Sequence, residues 1–109
     1  MVAIPKRLLP HTISYEEYTG TVNSKPTYAK AETIYNVRVE PVYQYALSSL
    51  GDAKNDRFTI IYDSRNSSPK GKTFVAKSRI TFGDIVLTVR NATPFYDSKR
   101  LHHWEVNCV

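Results

Sequence analysis

Hydrophobic and polar positions alternate with period two along much of this chain, most cleanly over residues 79–90. Two apolar runs there are separated only by Gly83 and Asp84. Glycine at the first central position supplies the positive φ of a primed hairpin turn, whose twist matches its strands. The pattern predicts Phe82 opposite Ile85, Ile80 opposite Leu87 and Ser78 opposite Val89, with the large apolar side chains on one face. Arg79, Thr81, Val86, Thr88 and Arg90 take the other face. One short segment thus sets a register, a core side and a wet side.

The same alternation marks further strands. His11 to Tyr18 places Ile13 and Tyr15 together, and Thr33 to Glu40 places Tyr35, Val37 and Val39 together, ending at Pro41. Phe58, Ile60 and Tyr62 share a face, and a short strand is expected near Thr73 to Ala76. Leu101 to Val109 sets His102, Trp104, Val106 and Cys108 against Leu101, His103, Glu105, Asn107 and Val109. Gly20 to Pro26 has turn chemistry, Asp63 to Lys72 is a polar loop, and Asn91 to Arg100 reads as a connection. Pro5 and Pro10 predict an extended N-terminal arm over residues 1–10.

Short strands at this spacing predict an all-β fold. The expectation is a small single-domain β-barrel over residues 11–109, with about six or seven mostly antiparallel strands. Its core should hold Ile80, Phe82, Leu87, Val89, Trp104 and Val106. Val42 to Asp56 breaks the pattern: Tyr43, Ala46, Leu47 and Leu50 recur at helical steps, which fits one or two helical turns ending at Gly51, with a plain loop the close alternative. A connection of roughly 15 residues is long for a compact domain, and such loops are often functional. It is the best site candidate on physical grounds.

Composition sharpens this picture. At 109 residues there is room for one domain and one core. Aromatic residues make up 12%, including eight Tyr and four Phe, which suits half-buried pleated surfaces. Fifteen Lys and Arg against ten Asp and Glu leave a formal charge of +5, scattered without a basic tract. Such a diffuse excess keeps a protein soluble and supports weak contact with polyanions. Cys108 is the single cysteine, so no internal disulfide is possible. The N-terminal apolar run is too short for a signal peptide, and no window approaches a membrane helix, so folding in the cytoplasm is expected.

No catalytic constellation emerges. His102 and His103 are neighbours in a strand and should point to opposite faces, and no acidic or cysteine cluster joins His11 to them at metal spacing. Cys108 on the Trp104 face reads as a small core residue. Asp63, Asp84 and Asp97 sit at strand ends and turns, where Asp serves the backbone. No grouped glycines form a phosphate loop. The chain is therefore expected to be no enzyme, with no cofactor and no metal. The tyrosines Tyr15, Tyr18, Tyr28, Tyr35, Tyr43, Tyr45, Tyr62 and Tyr96 leave open a small barrel binding single-stranded nucleic acid. Tyr35 and Tyr62, on apolar faces, are expected in the core instead.

Several segments in fixed order carry a resemblance: IPKRLLPHTISYEEYTG, NVRVEPV, IIYDSRNSSP, VRNATPFY and LHHWEVNCV. Together they resemble the minor capsid proteins of siphophages of Gram-positive bacteria, and more broadly the head-completion "stopper" proteins at the head–tail junction. The resemblance spans nearly the whole chain and is most specific at LLPHTISYEEYTG and LHHWEV. It implies a β-barrel docking as a homo-oligomeric ring between portal-side connector and tail proteins, retaining packaged DNA in the virion. By position, Tyr43, Tyr45, Leu47 and Leu50 would form a channel-closing, inter-subunit loop. Lys6 and Arg7 would lie on a partner-docking arm. Contact with DNA would be weak and non-specific, and no membrane is involved.

Overall fold

The structure, a computed structural model, describes residues 2–42 and 57–109. The sequence hairpin appears as β6 (Arg79–Phe82) and the start of β7 (Ile85–Asp97), paired Phe82 to Ile85 and Ile80 to Leu87. Gly83 has φ +62, as a primed turn requires. The ladder continues through hydrogen bonds between Val89 and both Ser78 and Lys77.

Around this hairpin lie β1 (His11–Glu16), β4 (Glu32–Pro41), β5 (Phe58–Asp63) and β8 (Arg100–Cys108). The six strands close into a barrel in the order β1, β4, β5, β8, β7, β6. Closure leaves the barrel no open sheet edge. A second sheet of two strands, β2 (Tyr18–Val22) and β3 (Lys25–Tyr28), branches off between β1 and β4. Residues 20–26, expected as a turn, are thus mostly strand. Their turn is Asn23–Ser24, both at positive φ, a primed geometry that asparagine tolerates well.

Inside the barrel lie Ile13, Tyr15, Ile34, Val37, Val39, Ile60, Tyr62, Ile80, Leu87, Val89, Val106 and Cys108. Phe82 and Trp104, expected in the core, are half-buried against it. Tyr35 is placed otherwise than its alternation suggests: it is 52% exposed, while Ile34 is fully buried. The cause is a bulge. Between the pairs His11 to Val37 and Ile13 to Ile34, β4 carries one residue more than β1. Asn36 absorbs it at φ +56, and everything before it changes face. Tyr35 turns outward and pairs its backbone with Ser68 instead.

Two further expectations are corrected. Residues 91–100 do not merely connect: β7 runs on to Asp97 and pairs with β8 down to Arg100. Pro94 lies inside that strand, opposite Trp104. Residues 73–76 are not a strand. They belong to a segment that crosses one end of the barrel and drops Phe74 into the core. The Phe74 ring packs edge-on against Tyr15, Tyr62 and Trp104, with centroids 5.2, 5.3 and 5.7 Å away. Two core phenols tie the segment down. Tyr15 donates to Ser78 Oγ and accepts from the Val75 N–H; Tyr62 donates to the Pro69 carbonyl and accepts from the Lys72 N–H.

The barrel closes where β1 meets β6, through Ser14–Thr81, Tyr15–Ile80 and Glu16–Arg79. On the wet side, Arg79 forks onto Glu16, with Nε at 2.8 Å and Nη2 at 3.0 Å from its two oxygens. The same guanidinium lies 4.3 Å from the centroid of Tyr28, which pins the β2–β3 hairpin to the seam.

Phe74→Ala should cost about 3–5 kcal/mol of unfolding free energy, since three rings lose their common partner. Urea denaturation would measure it; a loss below about 1 kcal/mol would mean that the crossing segment does not plug the core. The second expectation concerns acid. The hydrogen bond from Arg79 holds the Glu16 carboxyl below the usual glutamate range. A depressed carboxylate contributes stability above its unfolded-state pKa, and that contribution fades as pH falls through the folded one. The stability gap between the wild type and Glu16→Gln should therefore be constant near neutrality and shrink below about pH 4. A gap unchanged down to about pH 2 would contradict the pairing.

Candidate docking surfaces

The N-terminal residues form a strap laid against the barrel. They are not extended throughout, because a 3-10 turn occupies Lys6–Leu8 and buries Leu9 completely. The turn forms because Leu8 and Leu9 N–H groups reach back to the Pro5 and Lys6 carbonyls. Proline at its N-terminal end has the φ such a turn needs. Lys6 and Arg7 are exposed on its outer side. Beneath, Asn36 Nδ2 and Arg38 Nη1 donate to the Leu9 and Leu8 carbonyls at 3.5 and 3.3 Å.

Asp63 fastens the outer part of the strap. Its carboxylate is fully buried and accepts three backbone N–H bonds: Ile4 at 3.1 Å, Arg65 at 3.1 Å and Asn66 at 2.9 Å. Asn66 Nδ2 returns a bond to the Ile4 carbonyl at 2.7 Å. The backbone role expected of Asp63 thus extends beyond its own turn, to a segment 59 residues away. Ser67 lies beneath, with its hydroxyl bonded to the Asp63 N–H and the Asn36 carbonyl.

The histidines take separate roles. His11 Nδ1 accepts the Val39 N–H at 3.0 Å, standing in for a ladder bond at the bulge, and its ring meets Phe82 edge-on. His102 and His103 leave opposite faces of β8, yet their rings turn toward each other and bring their Nδ1 atoms within 2.8 Å. Cys108 is buried in the core. Among the described residues no three His, Cys, Asp or Glu side chains gather as a metal site, and no pocket opens.

Tyr43, Tyr45, Leu47 and Leu50, the expected channel-closing residues, lie outside the described residues. The Val42 N–H donates to the Arg57 carbonyl at 3.0 Å, and the Arg57 N–H donates to the Cys108 carbonyl at 2.7 Å. The segment therefore leaves and re-enters the barrel at neighbouring points, beside the end of β8.

The outer half of the β7–β8 hairpin, expected only as a connection, adds an exposed aromatic surface. Tyr96 is 64% exposed and Phe95 is 40% exposed near Lys99 and Arg100 at the tip. Thr93, Phe95 and Asp97 alternate with their neighbours as strand residues do, a signal that could have marked this stretch as strand despite Pro94.

Comparison with known proteins fits this architecture. A solution structure of protein SF1141 from Shigella flexneri 2a shares the fold, with a TM-score of 0.50 and 19% identity over 92% of this chain and 90% of that one. No curated protein matches the chain. The model of the minor capsid protein family matches residues 5–108, which takes in the inner part of the strap and every described strand through the closing β8. A match across essentially the whole barrel shows that this chain belongs to the minor capsid protein family.

Proposed function

We propose that this protein is a structural virion subunit at the head–tail junction of a tailed phage, a stopper docked between the portal-side connector and the tail. Membership of a capsid protein family supports a structural role in the virion. The observation that carries the finer reading is the clamp at Val42 and Arg57, which presents residues 43–56 from one end of a closed, well-filled barrel. A ring subunit of this kind needs a rigid body, dissimilar surfaces for its two neighbours and one segment offered toward the axis. In this reading Tyr43, Tyr45, Leu47 and Leu50 meet their counterparts from adjacent subunits and help to retain DNA. Lys6 and Arg7, exposed on the strap, contact a neighbouring protein. The formal charge of +5 suits weak, sequence-independent contact with DNA in the channel.

Loss of the gene in the phage that encodes it should leave heads that package DNA but release it, with free tails alongside. Electron microscopy and a nuclease-protection assay of the lysate would score this. Empty or malformed heads would place the protein in capsid assembly instead, and normal infectious particles would remove it from the junction. Replacing residues 43–56 with a short Gly/Ser linker should retain incorporation into particles while nuclease-sensitive DNA rises. Full DNA retention in such particles would end the assignment of Tyr43, Tyr45, Leu47 and Leu50.

A further inference from the structure

The outer end of the strap is held by a line of three contacts that runs through two imidazoles. The Val2 carbonyl oxygen lies 2.8 Å from His102 Nε2. The Nδ1 atoms of His102 and His103 are 2.8 Å apart, and His103 Nε2 is 2.9 Å from Glu105 Oε2. His102 is buried, and Phe95 stacks on His103 with the planes 5° apart.

Counting protons along this line gives a definite result. A carbonyl oxygen only accepts, so His102 Nε2 must carry a hydrogen. Two bare nitrogen lone pairs would repel at 2.8 Å, so one hydrogen lies between the Nδ1 atoms. The third contact also needs one, on His103 Nε2 or on the Glu105 carboxyl. Three contacts therefore hold three protons. Two neutral imidazoles and a carboxylate own only two between them. The count is the same whichever ring or carboxyl carries the extra proton.

We infer that His102, His103 and Glu105 form a proton-dependent latch on the N-terminal strap, closed with the extra proton bound and opened when it leaves. Losing that proton breaks one of the three contacts, either at Val2, between the rings or at Glu105. Each break loosens the hold on Val2 or removes the support that orients His102. Other charged groups surround the line. The Asp97 carboxyl of β7 is held below the usual aspartate range, first by a hydrogen bond from the chain's N-terminal amine and to a smaller degree by His102 and Arg65. Asp63 stands opposite His103 in the β5–β8 ladder, with its carboxylate bonded to backbone N–H groups. Arg100 precedes His102 by two residues on β8. Asp63 and Asn66 still bind Ile4 and buried Leu9 still holds the inner strap when the latch opens, so opening frees residues 2–3, leaves Ile4 to detach more readily and keeps the barrel intact.

The test is amide hydrogen exchange on the full chain by NMR, from about pH 5 to about pH 9, a span bracketing ordinary histidine titration. After correction for intrinsic exchange, protection of the Ile4 N–H should fall on the order of tenfold as pH rises, as losing one charge-assisted hydrogen bond would cause. The Ile60 N–H, deep in β5, should keep its protection. Imidazole nitrogen shifts should show three protons shared along the line at the acidic end and two at the alkaline end. His103→Gln should remove the pH dependence at Ile4. Flat Ile4 protection in the wild type, only two protons on the line while Val2 is bound, or an unaltered pH response in His103→Gln would each overturn the latch. The wild-type readings decide the matter even if the variant folds poorly.

Discussion

Barrel closure is the constraint on which everything else in this protein depends. Six strands form one continuous ladder only because β1 pairs with β4 on one side and β6 on the other. The second pairing is short: three residue pairs, one with Tyr15 and Ile80 inside and its neighbour with Glu16 and Arg79 outside. Apolar contact and a forked ion pair thus act at the same place from opposite faces. The exposed pair alone would contribute little in water. Its geometry matters because Arg79 also covers Tyr28 and so fixes where the β2–β3 hairpin leaves the barrel.

A closed barrel still has two ends, and the chain treats them differently. One end is filled by Phe74 on a crossing segment that contains little regular structure. The hydroxyls of Tyr15 and Tyr62 supply hydrogen bonds that strands would otherwise provide. Burying phenols is favourable here because each hydroxyl both donates and accepts. The other feature is the clamp at Val42 and Arg57, which holds the ends of a long segment together. A closed, filled barrel suits a structural subunit. Membership of a capsid protein family is consistent with that mechanical design.

The strap shows how loop residues organise distant parts of the chain. Asp63 ends β5, yet its carboxylate collects N–H groups from its own turn and from Ile4. A buried carboxylate with three such donors is well satisfied, which explains how a charge-bearing group sits with no exposure. His102 and His103 extend the attachment to Val2 from the adjacent strand. The same part of the surface therefore carries a fixed fastener at Ile4 and a protonation-dependent one at Val2.

The sequence alone determined the hairpin around Gly83–Asp84, the inward faces of β1, β5 and β8, and the all-β class. These follow from period-two burial and local turn chemistry, which act over a few residues. The core positions of Ile80, Leu87, Val89 and Val106 could be read for the same reason. Tertiary structure decided the rest. The bulge at Asn36 reversed Tyr35 and Ile34 because closing β4 onto β1 required an extra residue. Phe74 became a plug because the barrel had an end to fill, and Pro94 was accepted within β7 where β7 and β8 extend as a hairpin. The contacts of Asp63 and His102 with the strap depend on segments up to a hundred residues apart in sequence being brought together. No local pattern encodes such proximity; only the closed ladder supplies it.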